Sequence, residues 1–133
     1  MIIAPWSSRF ETGIDLIDAQ HQSLFEAINK LADSFRAGNS KSQVKASLDF
    51  LVDYTMEHFQ SEERFMRDMN YPRLAEHMGQ HAQLMEQVRD LQMDLMDGKP
   101  VIMEVTIFLA EWLKAHIHDS DMAYVYFMKE QHQ

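Results

Sequence analysis

Apolar residues spaced three and four apart recur through long stretches of this chain, and breaks interrupt them in only three places. Glycine and proline number four and three. Gly38, Asn39 and Ser40 form the first break, Asn70, Tyr71 and Pro72 the second, and Gly98, Lys99 and Pro100 the third. Residues that recur at this spacing share one face of a helix, and strand-type alternation is absent over any useful length. The expected elements are helices of about 17–37, 41–69, 72–97 and 101–117, with the last inward position near His116. Ser40 is the expected N-cap of the second helix, and Pro72 is suited to the first turn of the third. Gly79 lies inside a helical stretch, where it is tolerated at some cost. Short connections make consecutive helices antiparallel neighbours, so the fold class is all-α, an up-down-up-down four-helix bundle. Residues 1–16, with Trp6, Phe10 and Ile14, are expected to form an arm packed on the bundle. A short C-terminal helix is expected through Met122, Tyr124 and Phe127. A chain of 133 residues fits a single domain spanning 1–133.

Composition limits what such a bundle can do. The formal net charge of -9 argues against nucleic acid or an anionic membrane as the main partner. No apolar run approaches the roughly 20 residues that span a bilayer. The N-terminal stretch lacks the basic start and apolar core of a signal peptide, so cytoplasmic residence is expected. With no cysteine, disulfides, thiolate zinc sites and cysteine-held iron–sulfur clusters are excluded. Any metal must be held mainly by the seven histidines and twenty-one acidic residues. The eleven methionines read as gap-fillers of helical cores.

Several polar residues fall on the apolar faces. His21 continues the stripe of Ile17, Leu24, Phe25, Ile28, Leu31, Ala32 and Phe35. His58 and Glu62 lie on the stripe of Val44, Leu48, Leu51, Thr55, Phe65 and Met69. His77 and His81 lie on that of Leu74, Leu84, Val88, Leu91 and Leu95. His116 ends the run of Val105, Phe108, Leu109, Trp112 and Leu113, and Asp121 follows past the expected helix end. Burying such groups uncompensated costs several kcal/mol each. Any one of them alone reads more simply as a hydrogen-bonded core or surface residue. Together, on facing stripes, they read as ligands of a bound cation, and an i, i+4 pair brings two side chains to one ion or to two adjacent ions. Nitrogen and oxygen donors suit iron, manganese or zinc better than calcium or magnesium. Glu57 and Glu63 flank the ligands about a quarter turn or more away and read as solvated. His118 and Asp119 read either as outer partners of the ligands or as solvated surface, Asp18 either as an orienting partner of an imidazole or as a favourable first-turn acid. His132 falls at the frayed end.

The order Asp18-Ala-Gln-His21, His58-Phe-Gln-Ser-Glu62, His77-Met-Gly-Gln-His81 and Trp112-Leu-Lys-Ala-His116-Ile-His-Asp-Ser-Asp121 resembles the hemerythrin family, specifically its single-domain bacterial members. The resemblance covers nearly the whole chain. It implies that His77, His81 and His116 bind one iron, that His21 and His58 bind the other, and that Glu62 and Asp121 bridge them together with a hydroxide or oxide. Counting those ligands leaves one place open on the iron of His21 and His58, where the resemblance implies reversible binding of dioxygen. A dry apolar pocket is then required, and Phe25, Phe59, Trp112, Leu113 and Ile117 are the candidate liners by helix position.

The function implied is that of an oxygen carrier, store or delivery protein, serving an oxygen-consuming partner, rather than an enzyme. The alternative is an oxygen or redox sensor module that reports to a downstream signalling domain. A di-iron oxidase of the ferritin type is disfavoured, since such sites use Glu-x2-His pairs and no histidine here has Glu three residues before it. The His-Glu-x2-His of zinc proteases is also absent.

Overall fold

The computed structural model describes residues 3–38, 41–98 and 103–131. Among these residues five α-helices follow in order: α1 (Asp15–Arg36), α2 (Lys41–Asp68), α3 (Leu74–Met96), α4 (Met103–His116) and α5 (Met122–Gln131). A 3-10 turn at Ser8–Phe10 precedes them, and a π turn at Ile117–Asp121 joins α4 to α5. No strand occurs among the described residues. The first four helices make a four-helix bundle in which α1 packs against α2 and α4, and α2 against α3. No helix among the described residues is long and apolar enough to cross a membrane.

The core is built from the stripes that the periodicity marks out. Leu24, Phe25, Ile28 and Leu31 of α1 meet Leu48, Leu51 and Val52 of α2, Leu84 and Val88 of α3, and Leu109 and Leu113 of α4. A second apolar cluster gathers Met66, Tyr71, Tyr124 and Val125 at the other end of the bundle. Phe108 departs from the expectation: it is 47% exposed. Thr106, Leu109, Ala110 and Leu113 define the inward face of α4, and Phe108 is turned about 100° from Leu109.

The arm packs on the bundle through one aromatic cluster and one amide clasp. Phe25 makes edge-on contacts with Trp6 and Phe10 at ring-centre distances of 5.3 and 5.1 Å. Asn29 donates from its amide nitrogen to the Ala4 carbonyl and accepts from the Ala4 amide, both at 2.9 Å. Asp18 accepts the Thr12 amide and hydroxyl, both at 2.8 Å, and the Gly13 amide at 3.2 Å. It thus ties the arm to the first turn of α1, not to an imidazole.

Pro72 is not in the first turn of α3; it lies in the turn before Leu74. The reason is the ending of α2. Asn70 takes a left-handed conformation (φ 56°), its amide donates to the Arg67 carbonyl at 3.0 Å, and the Tyr71 amide donates to the Met66 carbonyl at 3.0 Å. This is the Schellman ending, and Tyr71 drops back onto Met66 in the second apolar cluster. The chain then needs the Pro72 turn before it can re-enter a helix. Ser40, the expected cap of α2, lies outside the described residues, as do Lys99, Pro100, the expected start of α4 at Val101, and His132.

α4 ends at His116 as expected, but the backbone does not leave a helical course there. Backbone helix continues through the π turn, with the Met122 amide donating to the Ile117 carbonyl, and runs on into α5. The expected short C-terminal helix is therefore a continuation of α4.

The α2–α3 hand-over sets which faces of the two helices meet. Asn70→Ala puts a Cβ-bearing residue with no local hydrogen-bonding ability at positive φ and should lower stability by about 1 kcal/mol, whereas Asn70→Gly should hold it; urea unfolding of the two variants distinguishes them.

Candidate metal centre

Four helices and the π turn deliver seven polar side chains to one buried point between the two apolar clusters. His21, Glu62 and Asp121 are 0% exposed, and His58, His77, His81 and His116 are no more than 6% exposed. They form two overlapping groups, Glu62, His77, His81, His116 and Asp121 in one, and His21, His58, Glu62 and Asp121 in the other. Within each group the ligand atoms lie within 4.8 Å of one another. All seven residues expected as ligands are in this cluster.

Two of the pairings are ordinary helix geometry: His58 and Glu62, and His77 and His81, are one turn apart. The third, His116 with Asp121, depends on the π turn. Residues five apart on an α-helix point about 140° away from each other. In a π turn, whose hydrogen bonds run from i to i+5, they come close to line. That brings Asp121 Oδ1 to 3.1 Å from His116 Nε2.

The arrangement around Asp121 and Glu62 is two-sided. Asp121 Oδ1 also lies 3.0 Å from His77 Nε2, while its Oδ2 lies 3.1 Å from His21 Nε2. Glu62 Oε1 lies 3.3 Å from His58 Nε2 and 3.4 Å from His81 Nε2. On the other group, His116 Nε2 stands 3.0 Å from His77 Nε2 and 3.1 Å from His81 Nε2. Each carboxylate therefore touches imidazoles of both groups.

Three further residues join this cluster that the sequence reading did not assign to it. Glu63 Oε2 accepts from His81 Nδ1 at 2.8 Å, which corrects its reading as a solvated residue. A quarter turn away from Glu62 on α2 is the direction that reaches the back of the His81 ring on α3. Gln20 Oε1 accepts from His58 Nδ1 at 2.7 Å, with the Gln20 amide nitrogen donating to Ser61 at 3.2 Å. Tyr124, one turn beyond Asp121, donates its hydroxyl to Glu62 Oε2 at 2.7 Å. The available signal for Tyr124 was its i+3 spacing from Asp121; for Gln20 and Glu63 it was adjacency to a ligand. His118 and Asp119 are paired with each other at 2.8 Å on the surface, 67% and 74% exposed, and Glu57 is exposed.

These hydrogen bonds fix the state of the nitrogens that face the centre. A carboxylate or an amide oxygen only accepts, so Nδ1 of His81 and of His58 must carry the proton. In the neutral rings Nε2 is then a bare lone pair, and it faces other nitrogens and carboxylate oxygens. Lone pairs facing one another in a dry core repel unless positive charge sits between them. His21 Nδ1 and Nε2, Glu62 Oε1 and both Asp121 oxygens are buried without a hydrogen-bond partner. The spacing is also apt: nitrogens at right angles around an ion, at roughly 2.1 Å from it, are roughly 3.0 Å apart.

Positive charge is required in either case. Burial opposes ionisation of Glu62, and so does neighbouring Asp121, yet the facing imidazoles, when protonated, outweigh both and bring it down to about 2. Burial likewise opposes ionisation of Asp121, and His116, His21 and His77 hold it well below the usual carboxylate range. A metal cation supplies the same sign of charge and uses the bare nitrogens. Burial pushes Tyr124 well above the usual phenol range, and the charges of Glu62 and Asp121 add to this, so it stays a donor.

Phe59 stacks flat on His81, with ring centres 3.7 Å apart and planes at 4°. Trp112 stacks on His116 at 4.5 Å and 12°. One turn along the bundle lies an apolar cavity of about 20 Å³ walled by Leu24, Leu51, Thr55, Phe59, Leu113 and their neighbours. Of the expected liners, Phe59 and Leu113 are on its wall. Phe25 turns to the arm instead, Trp112 covers His116, and Ile117 is buried in the main core.

The profile of the hemerythrin HHE cation binding domain matches residues 12–128. The chain belongs to the hemerythrin family. Bacteriohemerythrin of Methylococcus capsulatus is 34% identical over 126 residues, 93% of this chain and 95% of that protein. Myohemerythrin of Riftia pachyptila is 33% identical over 119 residues, 90% and 88% of the two chains. A crystal structure of a wild-type hemerythrin superposes with a TM-score of 0.86 at 35% identity, covering 90% of this chain and 93% of that one. The buried histidines of this hemerythrin chain thus occur in a fold of known cation-binding type.

If the cluster holds cations, ferrous iron added without air to the metal-free chain should stabilise it by about 4 kcal/mol at a thousand times the dissociation constant. In a chain of this length that corresponds to a rise of roughly 10 °C in the melting midpoint. An unchanged midpoint in a calorimetric scan would count against a metal centre.

Proposed function

We propose that this chain binds dioxygen reversibly at a centre of two iron ions, as a carrier, store or delivery protein. In this reading His77, His81 and His116 hold one ion and His21 and His58 the other. Glu62 and Asp121 span the pair, with a hydroxide or oxide completing the bridge. The observation that carries it is Asp121, whose two oxygens face histidines of the two different groups at 3.0–3.1 Å. A single ion would leave one oxygen and His21 buried without a partner. Membership of the hemerythrin family supports iron as the metal and dioxygen as the gas. Two ferrous ions held by these residues would supply the electron pair that reversible dioxygen binding requires.

The protein's own part is to hold the donors and keep water away. The helices bring the imidazoles to the centre already oriented, and Gln20 and Glu63 keep their outer nitrogens protonated. Phe59, Leu113 and their neighbours wall a cavity of a size suited to a diatomic molecule, about 20 Å³. The only polar side chain among its lining residues is Thr55, whose hydroxyl is taken up by the Leu51 carbonyl at 2.6 Å. Apolar walls limit the water and free protons that would trap the oxidised form. The names of the relatives, bacteriohemerythrin and myohemerythrin, favour gas binding over the alternative of a sensor module.

Iron analysis of iron-supplied protein should give about two ions per chain, by ligand count. The anaerobically reduced protein should be colourless, gain a visible charge-transfer band in air and lose it again on deoxygenation. His77→Ala should abolish the band. A band that bleaches once and does not return would replace reversible binding by oxidase chemistry, and full colour in His77→Ala would refute the ligand assignment.

A further inference from the structure

The two halves of the centre differ in what stands behind their ligands. In the three-histidine group, His81 Nδ1 donates to the carboxylate of Glu63 at 2.8 Å, and the Glu63 side chain is only 20% exposed. A charged acceptor behind an imidazole raises the basicity of its other nitrogen, here Nε2 facing the centre. In the two-histidine group the corresponding acceptor is the neutral amide oxygen of Gln20, 2.7 Å from His58 Nδ1. His21 Nδ1 has no partner.

The shared carboxylates add to the difference. Glu62 Oε1 is within 3.4 Å of both His58 and His81. Its Oε2, the oxygen nearer His21 at 3.9 Å, already accepts the Tyr124 hydroxyl at 2.7 Å. A hydrogen bond from a phenol withdraws donor strength from that oxygen. The two-histidine group therefore has one nitrogen fewer, no charged residue behind its imidazoles, and a bridging oxygen shared with a phenol.

We infer that the two metal positions fill in a set order: the three-histidine position, backed by Glu63, takes the first ion, and the two-histidine position, backed by Gln20, takes the second and releases it first. The inference rests on the two-ion reading above. Glu63 acts here as a positioning residue, through His81, and Gln20 does the same through His58. The consequence is that partial loss of metal leaves a chain with one ion in the three-histidine position.

Cobalt(II) titrated into the metal-free full chain without air, followed by visible absorbance and calorimetry, tests the order. The wild type should bind two ions in two resolved steps. Two resolved steps alone would not suffice, since the first cation repels the second wherever it sits. The assignment comes from two variants that keep the hydrogen bond from the imidazole and change the charge behind it; Gln20→Glu also gives up the donation to Ser61. Glu63→Gln should weaken the first step by about tenfold to a hundredfold and leave the second near its wild-type value. Gln20→Glu should strengthen the second step by a similar factor, closing the gap. A shift of the second step in Glu63→Gln, or no shift in either variant while each melts as a folded metal-free protein, overturns the order. Binding of a single ion by the wild type would instead overturn the two-ion reading itself.

Discussion

Five imidazoles and two carboxylates converge in the dry interior of a bundle whose walls are otherwise apolar, and the rest of the molecule is arranged around that convergence. Without positive charge between them, bare nitrogens and ionised oxygens at 3.0–3.4 Å would repel. Each group buried in this way costs several kcal/mol. A packed helix core is the environment in which that cost is highest, and it is also the environment that keeps water from a reactive centre. Both follow from the low polarizability of the surroundings. The fold thus makes the site unfavourable when empty and protected when filled.

Two apolar clusters enclose the centre along the bundle axis. On one side the main core contributes the small cavity and the flat stack of Phe59 on His81. On the other, Met66, Tyr71, Tyr124 and Val125 close the end. Tyr124 belongs to both systems: its ring is packed in the end cluster and its hydroxyl reaches Glu62. The π turn makes this possible. It turns Asp121 inward at a spacing of five from His116, and α5 then continues with Tyr124 one turn further on the same side.

The outer hydrogen bonds of the two groups are of unequal chemistry. A carboxylate behind His81 and an amide behind His58 hold the two rings equally well in place. They differ in charge, and charge at one bond's remove from a ligand nitrogen alters how strongly that nitrogen donates. The position of each ring and the charge behind it are therefore separable, for His81 between α2 and α3 and for His58 between α1 and α2.

By itself the sequence determined the helical architecture and the inventory of ligands. Periodic apolar spacing makes helix faces, and a His or Glu falling on such a face has nowhere to point but inward; His21, His58, Glu62, His77, His81 and His116 were legible for that reason. Asp121 was legible as an acid just past the end of a stripe, but its place beside His116 was implied only by the family pattern, because an i+5 spacing points away from its partner on an α-helix. Tertiary structure alone decided that α4 passes through a π turn into α5, which depends on a local backbone choice that no residue spacing announces. It also decided which neighbours stand behind the ligands. Glu63 and Asp18 show why: a side chain a quarter turn off the inward face is solvated or buried according to what the adjacent element places there. In one case that was the back of His81, in the other the amides of Thr12 and Gly13. Phe108 is the converse, an apolar residue near the inward face of α4 that stays 47% exposed.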